Sequence, residues 1–433
     1  MRIAVIGSGI AGLASAWLLS RAHEVTLFEA NDYFGGHTHT HTIELHGQSH
    51  AIDTGFIVHN RAHYPLLSRL FDELGVACQP TTMSFSVRNE ASGLEYSAAS
   101  LNALFCQRRN LLSPRFLGMV RDILRFYRES PALLRQCDQG PTLADYLAEN
   151  RYGAAFRDEH LVPMASALWS SPPNRILDFP ARYLVQFMAN HHMLQTSGRP
   201  QWRVVRGGSA RYVEALRRRW RVRERANCKV HALQRNPRGV DVLSIAGREC
   251  FDHAVLACHS DQALALLADP CPAERSVLGA IPYQSNDVVL HTDASLLPRR
   301  RTAWAAWNAH IPREPGDACT VSYCMNLLQG IASREALVVT LNRTHAIDPS
   351  RVLRRMRYTH PVYTEATFAA QRRKTAIQGV HRIWYAGAYW GFGFHEDGMR
   401  SAVEVARALG VDWPATAAPM SSSNPSTPAR RAA

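Results

Sequence analysis

Lysine is nearly absent from this chain. Only Lys229 and Lys374 occur in 433 residues, so the excess of 49 basic over 36 acidic side chains is carried by arginine. The nine cysteines (Cys78, Cys106, Cys137, Cys228, Cys250, Cys258, Cys271, Cys319 and Cys324) never stand as C-x-x-C. An odd count without that spacing argues against a zinc ribbon or a disulfide framework and fits a reducing compartment. No apolar run reaches the roughly 18 residues that a spanning helix needs. The apolar stretch from Ile3 to Leu19 does not read as a secretory leader: it has no cationic lead-in beyond Arg2, and Gly7, Gly9 and Gly12 interrupt it. The expected location is cytoplasmic, with peripheral contact on the inner membrane face left open. No internal repeat is visible. No recognised nucleic-acid-binding motif accompanies the basic charge, so no nucleic acid is expected as a partner.

What is present is enough for a globular protein. With 46% hydrophobic and 20% charged residues, most of the chain should fold around cores. The densest basic run holds nine arginines from Arg203 to Arg225 against Glu214 and Glu224, which suits a solvated helix face or lipid headgroups. The chain opens with an apolar strand, Arg2-Ile3-Ala4-Val5-Ile6, then Gly7-Ser8-Gly9-Ile10-Ala11-Gly12, a helical Leu13 to Ser20, and a second strand, Glu24 to Glu29. Residues 38–58 read as a hairpin turning at His46-Gly47, and Tyr64 to Leu74 as an amphipathic helix stopped by Gly75. Helical patterns broken by Pro114, Pro131, Pro141, Pro163 and Pro172-Pro173 dominate 97–192. Strands return over 226–258. Three β-rich stretches near 285–292, 317–325 and 336–342 suggest a second sheet. A strand Arg382 to Ala386, a glycine-rich turn and a helix Gly398 to Leu409 close the ordered part.

The opening motif carries a mechanism. Gly7 permits the tight turn, Gly9 lets the backbone approach a pyrophosphate, and Gly12 lets helix and strand pack closely. Ser8, Ile10 and Ala11 complete a helix N-terminus whose free N–H groups favour phosphate. Glu29, 17 residues after Gly12, can accept ribose hydroxyls. The pattern is that of a dinucleotide site.

A second glycine pair follows in Glu29-Ala30-Asn31-Asp32-Tyr33-Phe34-Gly35-Gly36-His37-Thr38. This resembles the flavin amine oxidase superfamily, which includes monoamine oxidases, protoporphyrinogen oxidase and phytoene desaturases. Asp53-Thr54-Gly55-Phe56, Arg206-Gly207-Gly208-Ser209 with Val230, and Tyr385-Ala386-Gly387-Ala388 with Gly398-Met399-Arg400-Ser401-Ala402 extend the resemblance over almost the whole chain, residues 81–200 being poorly covered. It implies FAD rather than NAD, held by Gly7, Ser8, Gly9, Ile10, Ala11, Gly12, Glu29, Ala30, Gly35, Gly36, His37, Thr38, Gly55, Phe56, Val230, Gly387, Ala388, Gly398 and Met399. The last helix would point its N-terminus at the flavin. His37 replaces the usual arginine, and Ala388 an acidic residue common in relatives.

The implied fold class is α/β: a Rossmann-type FAD-binding domain (1–80, 200–280 and 375–412), a discontinuous α+β substrate domain (81–199 and 281–374), and a disordered tail (413–433). Within the superfamily, residues 388–401, Trp304-Ala305-Ala306-Trp307-Asn308 and Tyr358-Thr359-His360-Pro361 resemble bacterial FAD-dependent oxidoreductases found with cyclopropane-fatty-acid-synthase-like methyltransferases. Such proteins are linked to desaturation of methylated fatty acyl chains on the route to furan fatty acids. The resemblance implies a small hydrophobic or lipid substrate, dehydrogenated by hydride transfer to flavin N5, with a methyltransferase as a partner. An amine or porphyrinogen oxidase is the enzymatic alternative; a non-catalytic flavin-binding partner of a lipid methyltransferase is the other. The region 318–342 contains no lysine where many amine oxidases of the superfamily keep one, which favours dehydrogenation of an apolar substrate over amine oxidation.

His395 is the candidate catalytic residue, a proton acceptor beside the flavin. The competing reading has Glu396 and Asp397 capping the last helix while His395 only packs. His37, His39 and His41 alternate as if on one strand face, but no carboxylate or thiolate joins them at ligand spacing, so no metal is expected. Trp304 and Trp307 read as cavity wall or as core.

Overall fold

The computed structural model describes residues 1–135, 140–314 and 318–414, so residues 415–433 of the expected tail lie outside the described residues. Trp413, assigned to that tail, is instead buried. Its indole meets Trp17 edge-on, lies under the Arg69 guanidinium and donates its N–H to Glu73. A ring of that area holds the chain down.

The apolar run Arg2–Ile6 becomes the middle strand of a five-stranded, wholly parallel sheet. Its order is Val222–Arg225, Glu24–Phe28, Arg2–Ile6, His253–Leu256, Ile383–Tyr385. Both faces are covered, which explains why no polar residue alternates along the strand. Ile3 and Val5 pack with the helices Ile10–Leu19 and His395–Ala408, while Ala4 and Ile6 face the three-stranded antiparallel sheet built from residues 230–251.

The β-rich stretches form neighbours in a second sheet of seven strands. Its order is Val352–Pro361, Tyr283–His291, Val338–Leu341, Val321–Cys324, Trp307–Ile311, Phe85–Asn89, Glu95–Ser97. Only Trp307–Ile311 and Phe85–Asn89 run parallel. The edge strand Val352–Pro361, ten residues long, was not expected: exposed arginines at 354, 355 and 357 hide its alternation. The helix Glu365–Arg372 spans two cores, Ala370 packing with the parallel sheet and Phe368 with the helical insertion.

Proline shapes that insertion where it meets the site. Pro163 sits one residue inside the helix Val162–Trp169, yet the chain is helical from Ala154 onward, because Arg157–Leu161 widens into a π turn. Proline has no N–H for the carbonyl four residues back and crowds it. That carbonyl belongs to Glu159, and it accepts the Tyr96 hydroxyl instead at 2.8 Å. The extra residue of the π turn carries the distortion.

Candidate functional site

The strand Arg2–Ile6 ends at Gly7 with φ +98°, where a Cβ would lie 3.0 Å from the Ala257 carbonyl oxygen. At Gly12 a Cβ would lie 1.9 Å from the Gly7 carbonyl oxygen, so helix and turn touch backbone to backbone. Gly9 differs: nothing lies within 4 Å of a Cβ there. Its missing side chain opens a cradle above the helix N-terminus. Gly36, at φ +57°, backs onto that cradle, its Cβ position being 2.9 Å from the Gly9 Cα. One Glu29 oxygen accepts the Ser8 N–H (2.9 Å) and hydroxyl (2.6 Å), and the other accepts both the backbone and the side-chain N–H of Asn31 (2.9 Å each).

From this cradle one continuous cavity of about 1390 Å³ runs into the second domain region. Its near end is lined by Gly7, Ser8, Gly9, Ile10, Ala11, Glu29, Ala30 and Val230; its waist by Gly36, His37, Gly55, Phe56, Gly387, Ala388, Gly393, Phe394 and His395. The far end is a chamber of aliphatic and aromatic side chains, among them Met83, Phe85, Met164, Leu168, Phe187 and Trp307.

Five residues expected at the cofactor stand behind this wall. Gly12 and Gly35 make close backbone contacts; at Gly35 a Cβ would sit 2.4 Å from the Thr38 carbonyl oxygen. Gly398 brings two helices together, its Cβ position lying 2.7 Å from Ile10 Cγ2, and Met399 is fully buried beside it in the core. Thr38 is also buried; its hydroxyl lies 2.5 Å from the Tyr212 hydroxyl and 3.1 Å from His395 Nε2. The ring of His395 stacks on Phe56 at 3.7 Å. Burial, with His37 and His59 nearby, pushes its pKa well below the usual imidazole range.

The two carboxylates after His395 divide the capping between two helices. Asp397 accepts the N–H groups of Phe392 (3.0 Å) and Phe394 (3.1 Å), closing the first turn of its own helix. Glu396 reaches across the fold and accepts the N–H groups of Leu66 and Leu67, both at 3.0 Å, at the start of the helix Pro65–Leu74. Burial raises the Glu396 pKa to about 7 against those hydrogen bonds. Glu396→Ala should therefore cost about 2 kcal/mol of unfolding free energy in urea titrations, with Gln restoring part of it through one remaining acceptor. Asp53 is a second buried tie. Its carboxylate takes the Thr40 hydroxyl (2.5 Å), the Ser209 N–H and hydroxyl (2.8 Å each) and the Gln329 amide (2.9 Å). Burial outweighs these donors and raises its pKa to about 6.

The three alternating histidines do not share a strand face. The strand begins at Thr40, and His37 lies in the turn before it. Rings of His39 and His41 stand 4.1 Å apart, while His37 faces His259, His360 and Tyr358 at 5.2–5.9 Å. Burial and His259 lower the His37 pKa to about 4, so the substitute for arginine is uncharged near neutral pH. Its Nε2 is buried with no partner among the described residues, an atom left for a ligand. Trp307 lines the chamber, whereas Trp304 donates its N–H to Pro298 within the core.

Some lining residues had no motif to announce them. Ala257, Cys258 and His259 follow the strand His253–Leu256, and the carboxyl end of a parallel strand is where such sheets bind ligands, so that signal was available. Tyr127, His160, Met193 and Arg199 come from the helical insertion, where only long-range packing brings them in.

A parallel sheet with an open glycine cradle, an acidic residue just after the next strand and an apolar second chamber defines a dinucleotide-dependent enzyme. Residues 10–296 match the family model for flavin containing amine oxidoreductases, and the chain belongs to that family. It is an FAD-dependent oxidoreductase. The cradle that a Gly9 Cβ would fill, the bare His37 Nε2 and the acceptor Glu29 fit that group. Solved structures share the fold. The CLA-producing fatty acid isomerase from P. acnes is 16% identical, with a TM-score of 0.65 over 94% of this chain and 98% of that one. Cyclohexylamine oxidase from Brevibacterium oxydans IH-35A is 18% identical, with a TM-score of 0.64 over 94% and 99%. A candidate protoporphyrinogen oxidase from Exiguobacterium sp. 255-15 is 16% identical, with a TM-score of 0.67 over 94% and 98%.

Proposed function

We propose that this oxidoreductase dehydrogenates or desaturates a hydrophobic, acyl-type substrate. The supporting observation is the charge around the cavity. Among the described residues Glu29 is the sole carboxylate lining it, and Glu29 is already engaged by Ser8 and Asn31 at the dinucleotide end. A protonated amine entering the chamber would lose its water without gaining a counter-charge. An acyl chain finds aliphatic and aromatic walls, and an acyl oxygen finds Arg199, which lies near Tyr127. Neither lysine serves the chamber: Lys229 lines the dinucleotide end, and Lys374 pairs with Glu404 beside Trp390.

FAD supplies, when bound, a two-electron acceptor for a hydride from carbon. The chain's own residues exclude water from the alkyl substrate through Met83, Phe85, Met164, Phe187 and Trp307. Loss of a hydride from one carbon requires loss of a proton from its neighbour. His395 takes that proton in this reading. Its lowered pKa keeps the ring unprotonated before the step, and the Thr38 hydroxyl, 3.1 Å from Nε2, holds the ring in place. A lipid methyltransferase supplying a methylated acyl chain is the partner this reading implies.

Anaerobic mixing tests it. Methyl-branched or unsaturated acyl lipids should bleach the bound flavin, and simple amines or porphyrinogens should not. In His395→Gln the same reduction should slow by about 100-fold with flavin content unchanged. Brisk oxygen consumption with amines, or a flavin left oxidised by every acyl lipid, would overturn the proposal. An unslowed His395→Gln would confine that ring to stacking on Phe56.

A further inference from the structure

Large apolar side chains are exposed at eight positions among the described residues, and five of them (Leu101, Leu111, Leu112, Leu117 and Leu124) fall within one stretch of 24 residues. In the helix Pro114–Glu129, Leu117, Arg121, Leu124 and Arg128 recur at helical spacing and form one exposed stripe. The opposite face, with Phe116, Met119 and Phe126, is buried in the helical core. Leu111 and Leu112 stand on the turn just before that helix, Leu112 being 88% exposed. Water-facing leucines are ordinary singly and unusual in a cluster.

The charge around these leucines is positive in excess. Residues 101–129 carry six arginines against Asp122 and Glu129. Arg121 and Arg125 pair with Asp122, Arg125 and Arg128 with Glu129, and Arg115 with Glu159, so the stretch is basic by excess of arginine rather than by arginines without partners. A flank of this helix borders the cavity: Tyr127 and Ala98-Ala99, just before Leu101, line it, and exposed Arg199 lies beside Tyr127.

We propose that this face docks on an anionic phospholipid bilayer, its leucines entering the acyl boundary and its arginines meeting the headgroups. Leucine insertion and arginine attraction are the two contributions to such binding, and the helix stripe alternates the two. A second copy of the chain fits less well, since it would set these arginines against their own kind. The basic run Arg203–Arg225, which the sequence left as a solvated helix face or a headgroup contact, also has paired arginines, but none of the exposed large apolar side chains among the described residues falls within it. Docking beside Tyr127 and Arg199 would let a chain pass from lipid to chamber with little exposure to water, but the docking itself does not depend on which substrate is turned over.

Flotation of the FAD-loaded enzyme with phosphatidylcholine vesicles, with and without added phosphatidylglycerol, tests it. The protein should float with the anionic vesicles, and less so as salt rises. Leu112→Asp with Leu117→Asp should lower partitioning roughly tenfold or more, and Arg121→Glu with Arg128→Glu should remove the preference for phosphatidylglycerol, both with flavin content and melting temperature unchanged. Three results would overturn the proposal: no flotation with either vesicle, variants that float as the parent does, or leucine variants that dissociate a dimer in sedimentation velocity while vesicle binding stays intact.

Discussion

Gly9→Ala should give a folded protein that has lost its grip on FAD, while Gly12→Ala should scarcely fold. The two positions stand three residues apart in one turn, yet a methyl group meets opposite surroundings. At Gly9 the backbone is at φ −63°, ψ 177°, which alanine adopts freely, and no atom lies within 4 Å of the new carbon. The stability of the cofactor-free protein should change by less than about 1 kcal/mol. The methyl would stand in the cradle, however, and FAD affinity should fall at least about 30-fold, or about 2 kcal/mol. At Gly12 the new carbon would sit 1.9 Å from the Gly7 carbonyl oxygen and 3.2 Å from Ala257 Cβ, both fixed by the sheet. A loss of about 3 kcal/mol or more is expected there. Urea unfolding of the apoprotein and fluorescence titration with FAD separate the two effects. A Gly9→Ala protein that retains its flavin at full affinity would mean that the dinucleotide does not cross this cradle.

Stability should fall steeply between about pH 6.5 and pH 4, and histidine rather than carboxylate protonation should drive it. His59, His160 and His291 are each no more than 3% exposed, and burial lowers the pKa of each to about 4. His291 shows the cause plainly: its Nδ1 accepts the Asp293 N–H and its Nε2 donates to Thr340, so a second proton has no place. A folded-state pKa below the unfolded 6.5 gives stability that is present above 6.5 and lost as pH falls through the window. Together the three should remove on the order of 10 kcal/mol, comparable to the whole stability of many domains. Asp53 and Glu396 act in the other sense. Their raised pKa values, about 6 and about 7, give stability that is present in acid and lost as pH rises through those values. They offset roughly half of the decline and do not reverse it. Urea midpoints measured from about pH 7 to about pH 4 check this, and a flat profile would show that these imidazoles are not held neutral.

The cofactor end was legible because its code is local. Gly7, Gly9, Gly12 and Glu29 each follow from what one turn and two adjacent strands require, and the parallel sheet followed from the same reading. The waist was only partly legible. Gly398 and Met399 lie in the expected helix, where the contacts they show are with Ile10–Leu19, a packing that only three dimensions reveal. Glu396 could be read as a cap but not as the cap of a helix more than 300 residues earlier. Of the chamber only Trp307 was legible, as a wall or as core. Tyr127, His160, Met164 and Arg199 carry no motif, and the edge strand Val352–Pro361 hides its period behind arginines.

The π turn at Arg157–Leu161 bears on how this chamber can vary. One additional residue in the coil turns everything beyond it by about 100° relative to an uninterrupted helix. Met164 and Leu168 owe their place in the cavity roof to that offset, and His160 sits in the widened turn itself. The roof is thus set by a count of residues as much as by their identity. Relatives that gain or lose a single position here would present a different set of side chains to the substrate while keeping every neighbouring residue the same.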